Sequence, residues 1–259
     1  MSFSDTLNPA LTWRHFEVID STNTYLLYAE QPINQLISTD KQRKGRGRHG
    51  QRWFDNTNSL LFSLSTGFVP DKDLSAWPVQ LSIVVADVLD ALGRCLASRR
   101  DQPSITAPDI RIKWPNDLYT KTHGQWGKFG GILVESQIGK IGKMVSGIGI
   151  NLSAINVSEN MDYPFIHLDL PVKKQRLLFI LANELFAAWQ RFVEQPVIEP
   201  EAYQAYDYVL NKKLIATDMG SGKRLCGTGS GVNHQGQLML RNSQGRFALT
   251  SQQRIRLLD

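Results

Sequence analysis

The sequence predicts an α+β fold in two parts: a mixed α/β segment over residues 1–210 and a small all-β module over 211–259 that reads as a β-barrel. Two observations carry this prediction. Up to about residue 210, short β-branched or aromatic runs alternate with two long stretches whose apolar residues recur every three or four positions. Beyond it, five short strand-like runs follow at roughly 213–218, 223–232, 236–241, 246–250 and 254–258, separated by Gly, Asn and Ser turns.

Taken in order, residues 13–19 read as a strand, and Asp20, Ser21, Thr22 and Asn23 supply cap-type side chains before Tyr25, Leu26 and Leu27 of a short helix. A strand running straight into a helix start presents unpaired backbone N–H groups, which suit a polar or anionic ligand. Simple helix capping is the plainer alternative. Strands are expected at 36–39 and 59–66, then a helix over about 75–97 with Leu81, Val84, Val88, Leu92 and Cys95 on one face. An apolar strand at 110–114 ends in the turn signature Pro115, Asn116, Asp117, and two more strands follow at 131–137 and 144–152. A second long helix spans about 173–194, with Leu177, Leu181, Leu185, Ala188 and Phe192 facing inward, before a mostly polar helical stretch around 201–210.

With 259 residues, 42% hydrophobic and 20% charged, the composition is that of a soluble globular chain. No run of eighteen apolar residues is present and the first residues lack a secretory-signal layout, so a cytoplasmic protein with no membrane partner is the expectation. Cys95 and Cys226 lie far apart without metal-ligand spacing, which argues against a disulfide framework or a zinc site and leaves no protein metal ligand assigned. Cys95 is expected to be buried packing. The net charge of +5 favours anionic partners, whether nucleic acid, nucleotide phosphates or an acidic protein.

The densest basic run, from Lys41 to Arg52, is broken by Gly45, Gly47 and Gly50. Glycine permits close backbone approach and arginine offers a planar fork of donors, so this segment reads as an anion-clamping loop or as an exposed loop touching nucleic acid; composition alone favours neither. It is no P-loop, since Gly142-Lys143-Met144 and Gly222-Lys223-Arg224 both fail at the last position. A G-x-G-x-x-G match at 45, 47 and 50 is discounted because Trp53 and residues 54–56 read as a turn rather than a helix. Lys113, Trp114, Pro115, Asn116 and Asp117 close a strand with a cation, an aromatic and a carboxylate, which suits either a ligand edge or a turn whose Asn and Asp bond their own backbone. Lys128 enters an otherwise apolar strand and needs an anionic partner unless its amine snorkels out. Gly147, Gly149 and Asn151 put small residues at a strand end, either as a wall for a flat ring or to let strands pack closely.

In order, S-T-N, Q-x-x-G-R-G-R-x-G-x-x-W, K-W-P-N-D, K-x-x-G-I-L-V-E and G-I-G-I-N resemble the bacterial biotin–protein ligase family across about residues 13–258. The resemblance implies a mixed sheet flanked by helices, related to lipoyl ligases and class II aminoacyl-tRNA synthetases, plus an SH3-like C-terminal barrel. It implies biotin and ATP as substrates, Mg²⁺ accompanying ATP, and a biotin carboxyl carrier protein of acetyl-CoA carboxylase as acceptor. Ser21, Thr22, Asn23 and Gln42 would bind biotin, with Arg46, Gly47 and Arg48 in a loop closing over biotin and its adenylate. Lys128 would contact the biotin carboxylate and then the acyl phosphate, Lys113 would add positive potential, and Asp117 would orient Lys128 or receive the acceptor's proton. Arg48, Lys113, Asp117 and Lys128 form the implied catalytic set. Arg46, Arg48, Trp53, Asn116, Lys128, Gly149 and Asn151 would lie at the ATP and adenylate end.

His49 and Gln51 depart from the family pattern, where many relatives carry a basic residue. With the first strand near Trp13, no N-terminal helix-turn-helix is expected, and so no DNA partner or repressor role. A homodimer is compatible with the sequence, as is a monomer. The competing readings are a lipoate or octanoate ligase, disfavoured by the glycine-arginine loop and K-W-P-N-D; a nucleic-acid binder, which would show strongly salt-sensitive binding; and a silent biotin-binding module, which would bind biotin without consuming ATP.

Overall fold

The computed structural model describes residues 3–28, 32–53, 58–98, 106–153, 164 and 166–258. The expected turn at residues 54–56 and the side chain of His49 lie outside the described residues. The chain runs β1 (Thr12–Ile19), α1 (Thr22–Tyr28), β2 (Gln35–Gln42), β3 (Ser59–Phe68), α2 (Trp77–Ala97), β4 (Arg111–Lys113), β5 (Asp117–Thr122), β6 (Gln125–Gln137), β7 (Gly142–Asn151), α3 (Lys174–Glu194) and α4 (Pro200–Gln204). Five short strands follow: β8 (Lys213–Asp218), β9 (Arg224–Val232), β10 (Leu238–Asn242), β11 (Gly245–Leu249) and β12 (Gln253–Leu257). The first seven strands form one sheet in the order β1-β2-β3-β7-β6-β5-β4, and the last five form another, β11-β10-β9-β8-β12. Among the described strand pairs only β1 and β2 run parallel, so the first sheet is mixed, as expected, while the strand pairs of the second are antiparallel.

The period-2 alternation of the central strands sorts the main sheet into two faces. On β7, Met144, Ile148 and Ile150 join the large core under α2 and α3, where Ser146 also receives a hydrogen bond from the Trp77 indole at 2.9 Å. The intervening residues turn the other way: Val145 packs with Leu26, Leu27 and Ile37 beneath α1. Gly147 and Gly149 follow Val145 on that second face. The same parity puts Leu60, Phe62 and Leu64 of β3 into the core and leaves Ser63 on the α1 side. A helix pair thus seals one face, and the short α1 leaves part of the other open for a site.

Three expectations need correction. The turn expected at Pro115–Asp117 falls one residue earlier, at Trp114–Asn116 across a cis Trp114–Pro115 peptide, and Asp117 already starts β5, paired with β4 and β6. Cys95 is exposed, not buried. The inward stripe of α2 runs Leu81, Val85, Val88, Leu92 and Leu96, all buried, and one residue back from Leu96 is a rotation of about 100° out of that stripe. Cys95→Ser is therefore expected to change unfolding free energy by less than about 0.5 kcal/mol. A denaturant midpoint shifted well beyond that would return Cys95 to the core. The helical stretch expected at 201–210 is also shorter, ending at Gln204.

The segment after α4 passes along the outer edge of β4. Tyr206 O accepts from Ile112 N at 2.7 Å and Tyr208 N donates to Ile112 O at 3.0 Å, so Asp207 is held between them. Its Oδ1 accepts from Val209 N at 2.8 Å, while Oδ2 is buried without a partner. Burial pushes the Asp207 carboxyl up to about 6, against the pull of the Val209 and Leu210 amides and of Lys212. A folded-state value above the unfolded one means the folded chain binds the extra proton. The resulting stability is fully present below the unfolded value of 3.8 and is lost as pH rises through about 6. Asp207→Asn should remove that component, so the stability difference between variant and wild type should grow across this window and level off above it. Parallel stability–pH curves from urea titrations would contradict this assignment.

Candidate active site

The local sequence places each motif at a strand end or helix start on the open face, and these ends converge on one cavity of about 590 Å³. Ser21 caps α1, its Oγ accepting from Thr24 N at 3.3 Å. The two residues after it have further work. The Oε1 of Gln42, at the end of β2, accepts from both Thr22 N (2.9 Å) and Thr22 Oγ1 (3.2 Å). Ser63 Oγ on β3 stands 2.7 Å from Thr22 Oγ1 and 2.6 Å from Asn23 Oδ1, and Asn23 Nδ2 donates to Leu133 O and to Glu135. Ser21, Thr22 and Asn23 are all buried. Capping is therefore only part of this motif's role, because Thr22 and Asn23 build a polar floor.

The glycine-arginine segment folds on itself. Arg46 bridges Arg52, Gly47 N donates to Gln51 O at 2.6 Å, Trp53 N donates to Gly45 O at 3.0 Å, and Arg48–Gly50 make one 3₁₀ turn. Arg48 reaches Asn116 Oδ1 at 3.3 Å and the Ser251 carbonyl, joining the first sheet's loop to the second sheet's β11–β12 turn. Burial draws the Arg48 guanidinium down from its usual range and the Asp117 carboxylate draws it back up; it stays cationic. Trp53 lays its ring over Gly149, where a β-carbon would come within 2.4 Å of the ring, and over Gly131, where the approach would be 3.0 Å. The flat ring against the glycine wall is thus the protein's own tryptophan, and Gly147 makes room for Asn23 in the same way. Close packing of strands is not what these glycines serve.

On the facing side, Lys128 Nζ donates to Asp117 Oδ1 at 2.6 Å, with side-chain exposures of only 12% and 26%. The lysine entering an apolar strand thus has its anionic partner. Its ammonium also lies 5.6 Å from the Trp53 ring centre, and Lys113 Nζ lies 5.5 Å from that of Tyr119. Asn116 and Asp117 do not fold back on their own backbone: the Asn116 amide donates to Ile132 O and accepts from Arg48, and Asp117 takes Lys128.

Ser21, Thr22, Asn23, Gln42, Arg46, Gly47, Arg48, Trp53, Lys113, Asn116, Asp117, Lys128 and Gly149 all line the cavity. Asn151 does not. It is fully buried at the end of β7, its Oδ1 accepting from Ser59 Oγ at 3.0 Å, because the strand carries it past the rim of the cavity. Several lining residues had no local signal: Tyr119, Trp126 and Tyr208 form an aromatic cluster, with Tyr119 and Tyr208 stacked at 4.8 Å, and Arg254 and Arg256 come from β12. Gln51 and Arg52, inside the glycine-arginine motif, also line the cavity, and Glu135, which ends K-x-x-G-I-L-V-E, lies behind it and bonds to Asn23 and Arg46.

The biotin/lipoate A/B protein ligase family model matches residues 15–151, more than half of the chain and the whole stretch that carries these motifs. The chain belongs to this family. Among its curated relatives in the ligase family, the bifunctional ligase/repressor BirA of Escherichia coli is 33% identical over 243 residues, covering 86% of this chain and 67% of that protein. A biotin–[acetyl-CoA-carboxylase] ligase of Mycobacterium tuberculosis is 26% identical over 242 residues, covering 88% and 84%. Of solved family structures, a biotin protein ligase from Aquifex aeolicus in complex with biotin and ATP aligns with a TM-score of 0.73 at 20% identity, over 95% of this chain and 99% of that one; this likeness bears on the fold. Among the described residues no helix is long and apolar enough to cross a membrane.

Proposed function

We propose that this protein joins biotin to a carrier protein in two ATP-dependent steps, and that the site residues act where the cavity puts them. The observation that carries the reading is convergence: residues of all five ligase motifs, far apart in sequence, line one cavity whose polar floor lies at one end and whose Lys128–Asp117 pair and Trp53 ring lie across from it.

Ser21, Thr22, Asn23 and Gln42 are positioned to hold the polar head of biotin. Arg46, Gly47 and Arg48 belong to the loop that covers biotin and its activated carboxylate. A carboxylate resists attack by an amine, so its oxygen first attacks the α-phosphorus of ATP, the bond to pyrophosphate breaks, and a mixed anhydride forms. Cations lower that barrier by neutralising repulsion between two anions and by meeting the charge that develops. Lys128 does this most directly, with Arg48 beside it and Lys113 adding positive potential. Trp53, Asn116 and Gly149 border the adenylate. The carrier's lysine then attacks the acyl carbon and AMP leaves, with Asp117 either orienting Lys128 or taking the amine's proton. Covering the anhydride keeps water from competing.

Magnesium would arrive with the triphosphate and rest chiefly on its oxygens and on water. Among the described residues no three His, Cys, Asp or Glu side chains cluster as ligands, and the one carboxylate lining the cavity, Asp117, is bonded to Lys128. The acceptor we propose is a biotin carboxyl carrier protein of acetyl-CoA carboxylase, and residues 1–210 would form the ligase unit that 211–259 helps to close.

Purified protein with biotin, Mg-ATP and an apo carrier domain should yield an avidin-reactive carrier and one AMP per biotin transferred. Lipoate outcompeting biotin would reassign the substrate within the family. Tight biotin binding without ATP consumption would replace the enzyme with a binding module.

A further inference from the structure

We propose that Glu135 is a positioning residue that couples the glycine-arginine loop to the floor of the biotin pocket. This rests on the ligase reading above and adds a residue to which the resemblance implied no role. Glu135 sits on β6 on the same face as Gly131 and Leu133, at the far end from Lys128. Its Oε1 accepts from Arg46 Nη2 at 3.0 Å. Its Oε2 accepts from Arg46 Nη2 at 3.1 Å and from Asn23 Nδ2 at 2.9 Å. One carboxylate therefore holds both a loop residue and a pocket residue.

Each side of that grip extends further. Arg46 also donates to Thr24 Oγ1 at 3.1 Å, and the internal bonds of residues 45–53 tie that segment together, so a grip on Arg46 extends to it. Asn23 leads through Ser63 to Thr22 and on to Gln42. A carboxylate suits the junction because it is acceptor-only, with about four lone-pair directions, and both neighbours are donors. An amide in its place would turn one NH₂ toward a donor. The Glu135 and Arg46 side chains are 22% and 40% exposed, so the pair contributes little to global stability and can open without unfolding the chain.

The test uses the whole protein, titrating biotin calorimetrically, measuring steady-state adenylation, and timing escape of biotinyl-adenylate from the enzyme. Glu135→Gln should raise the biotin Kd roughly tenfold, the scale of one lost charge-assisted hydrogen bond. KM for biotin should rise with it, kcat at saturating biotin should change much less, and adenylate escape should quicken. Arg46→Ala should also raise the biotin Kd, and introduced into the Glu135→Gln protein it should raise it by clearly less than in the wild type, because the Arg46–Glu135 link is then already broken. Glu135→Asp, which keeps the charge but shortens its reach, should weaken binding in the same direction and serves if the glutamine variant does not fold. Additive effects of the two substitutions, or a lower Tm with unaltered biotin Kd and adenylate escape, would overturn the coupling. Variants that bind biotin like the wild type would do so as well. A wild-type protein that binds no biotin would instead overturn the ligase reading, and the coupling with it.

Discussion

Replacing Lys128 by alanine is expected to slow biotinyl-adenylate formation roughly 10²–10³-fold, the usual effect of removing one donor aimed at developing charge. The reason lies in where the ammonium is held. It is nearly buried, fixed at 2.6 Å by Asp117, and set beside the Trp53 ring, so its charge acts in a site with little water to screen it. Removing it also deprives Asp117 of that partner and leaves a net negative group facing two anionic substrates. Transfer from supplied biotinyl-adenylate to the carrier should fall much less, because the phosphate–carboxylate repulsion has by then been overcome. Biotin-dependent pyrophosphate release measures the first step and carrier labelling the second. Normal adenylate synthesis by the variant would remove Lys128 from the first step. Arginine should not restore it, since a broader planar group does not fit the space of a buried point charge.

Gly147→Ala is expected to be the most damaging single-methyl change in the pocket. A β-carbon there would come within 2.0 Å of Asn23 Oδ1, far inside contact distance, so Asn23 must move by more than 1 Å. The move would break its bonds to Ser63, to Leu133 O and to Glu135 together. Overpacking of this kind costs about 1–3 kcal/mol, a drop in Tm of about 2–4 °C per kcal/mol for a chain of this size. Biotin affinity should fall at least about tenfold, since the floor and the Glu135 link are both disturbed. Thermal unfolding and biotin titration read the two effects separately. An alanine variant with wild-type Tm and affinity would show that Asn23 has another seat available.

The two glycines of G-I-G-I-N show what could be read from the sequence and what could not. Their spacing placed them on one face of a strand, and two purposes remained open. Only the fold shows that the neighbours are side chains from residues 23 and 53, more than ninety positions away, because sheet pairing sets β7 beside β3 and β6. Lys128 is similar. An apolar strand beginning with a lysine demands an anion by solvation alone, but that the anion is Asp117 follows from β5 and β6 pairing antiparallel, and β5 itself was not expected after the turn.

The sequence by itself determined the two long helices, the run of C-terminal strands and, through its ordered motifs, more than half of the cavity's polar residues, because burial periodicity and ordered motifs are local properties. Tertiary structure alone decided that Cys95 faces outward and that Asn151 stops short of the cavity. It also decided that Tyr208, Arg254 and Arg256 complete the wall and that Glu135 ties the loop to the pocket. Each of these depends on which residues distant in sequence are brought within hydrogen-bond or contact distance. That proximity is fixed by strand order and helix rotation, and neither is encoded in any short window of the chain.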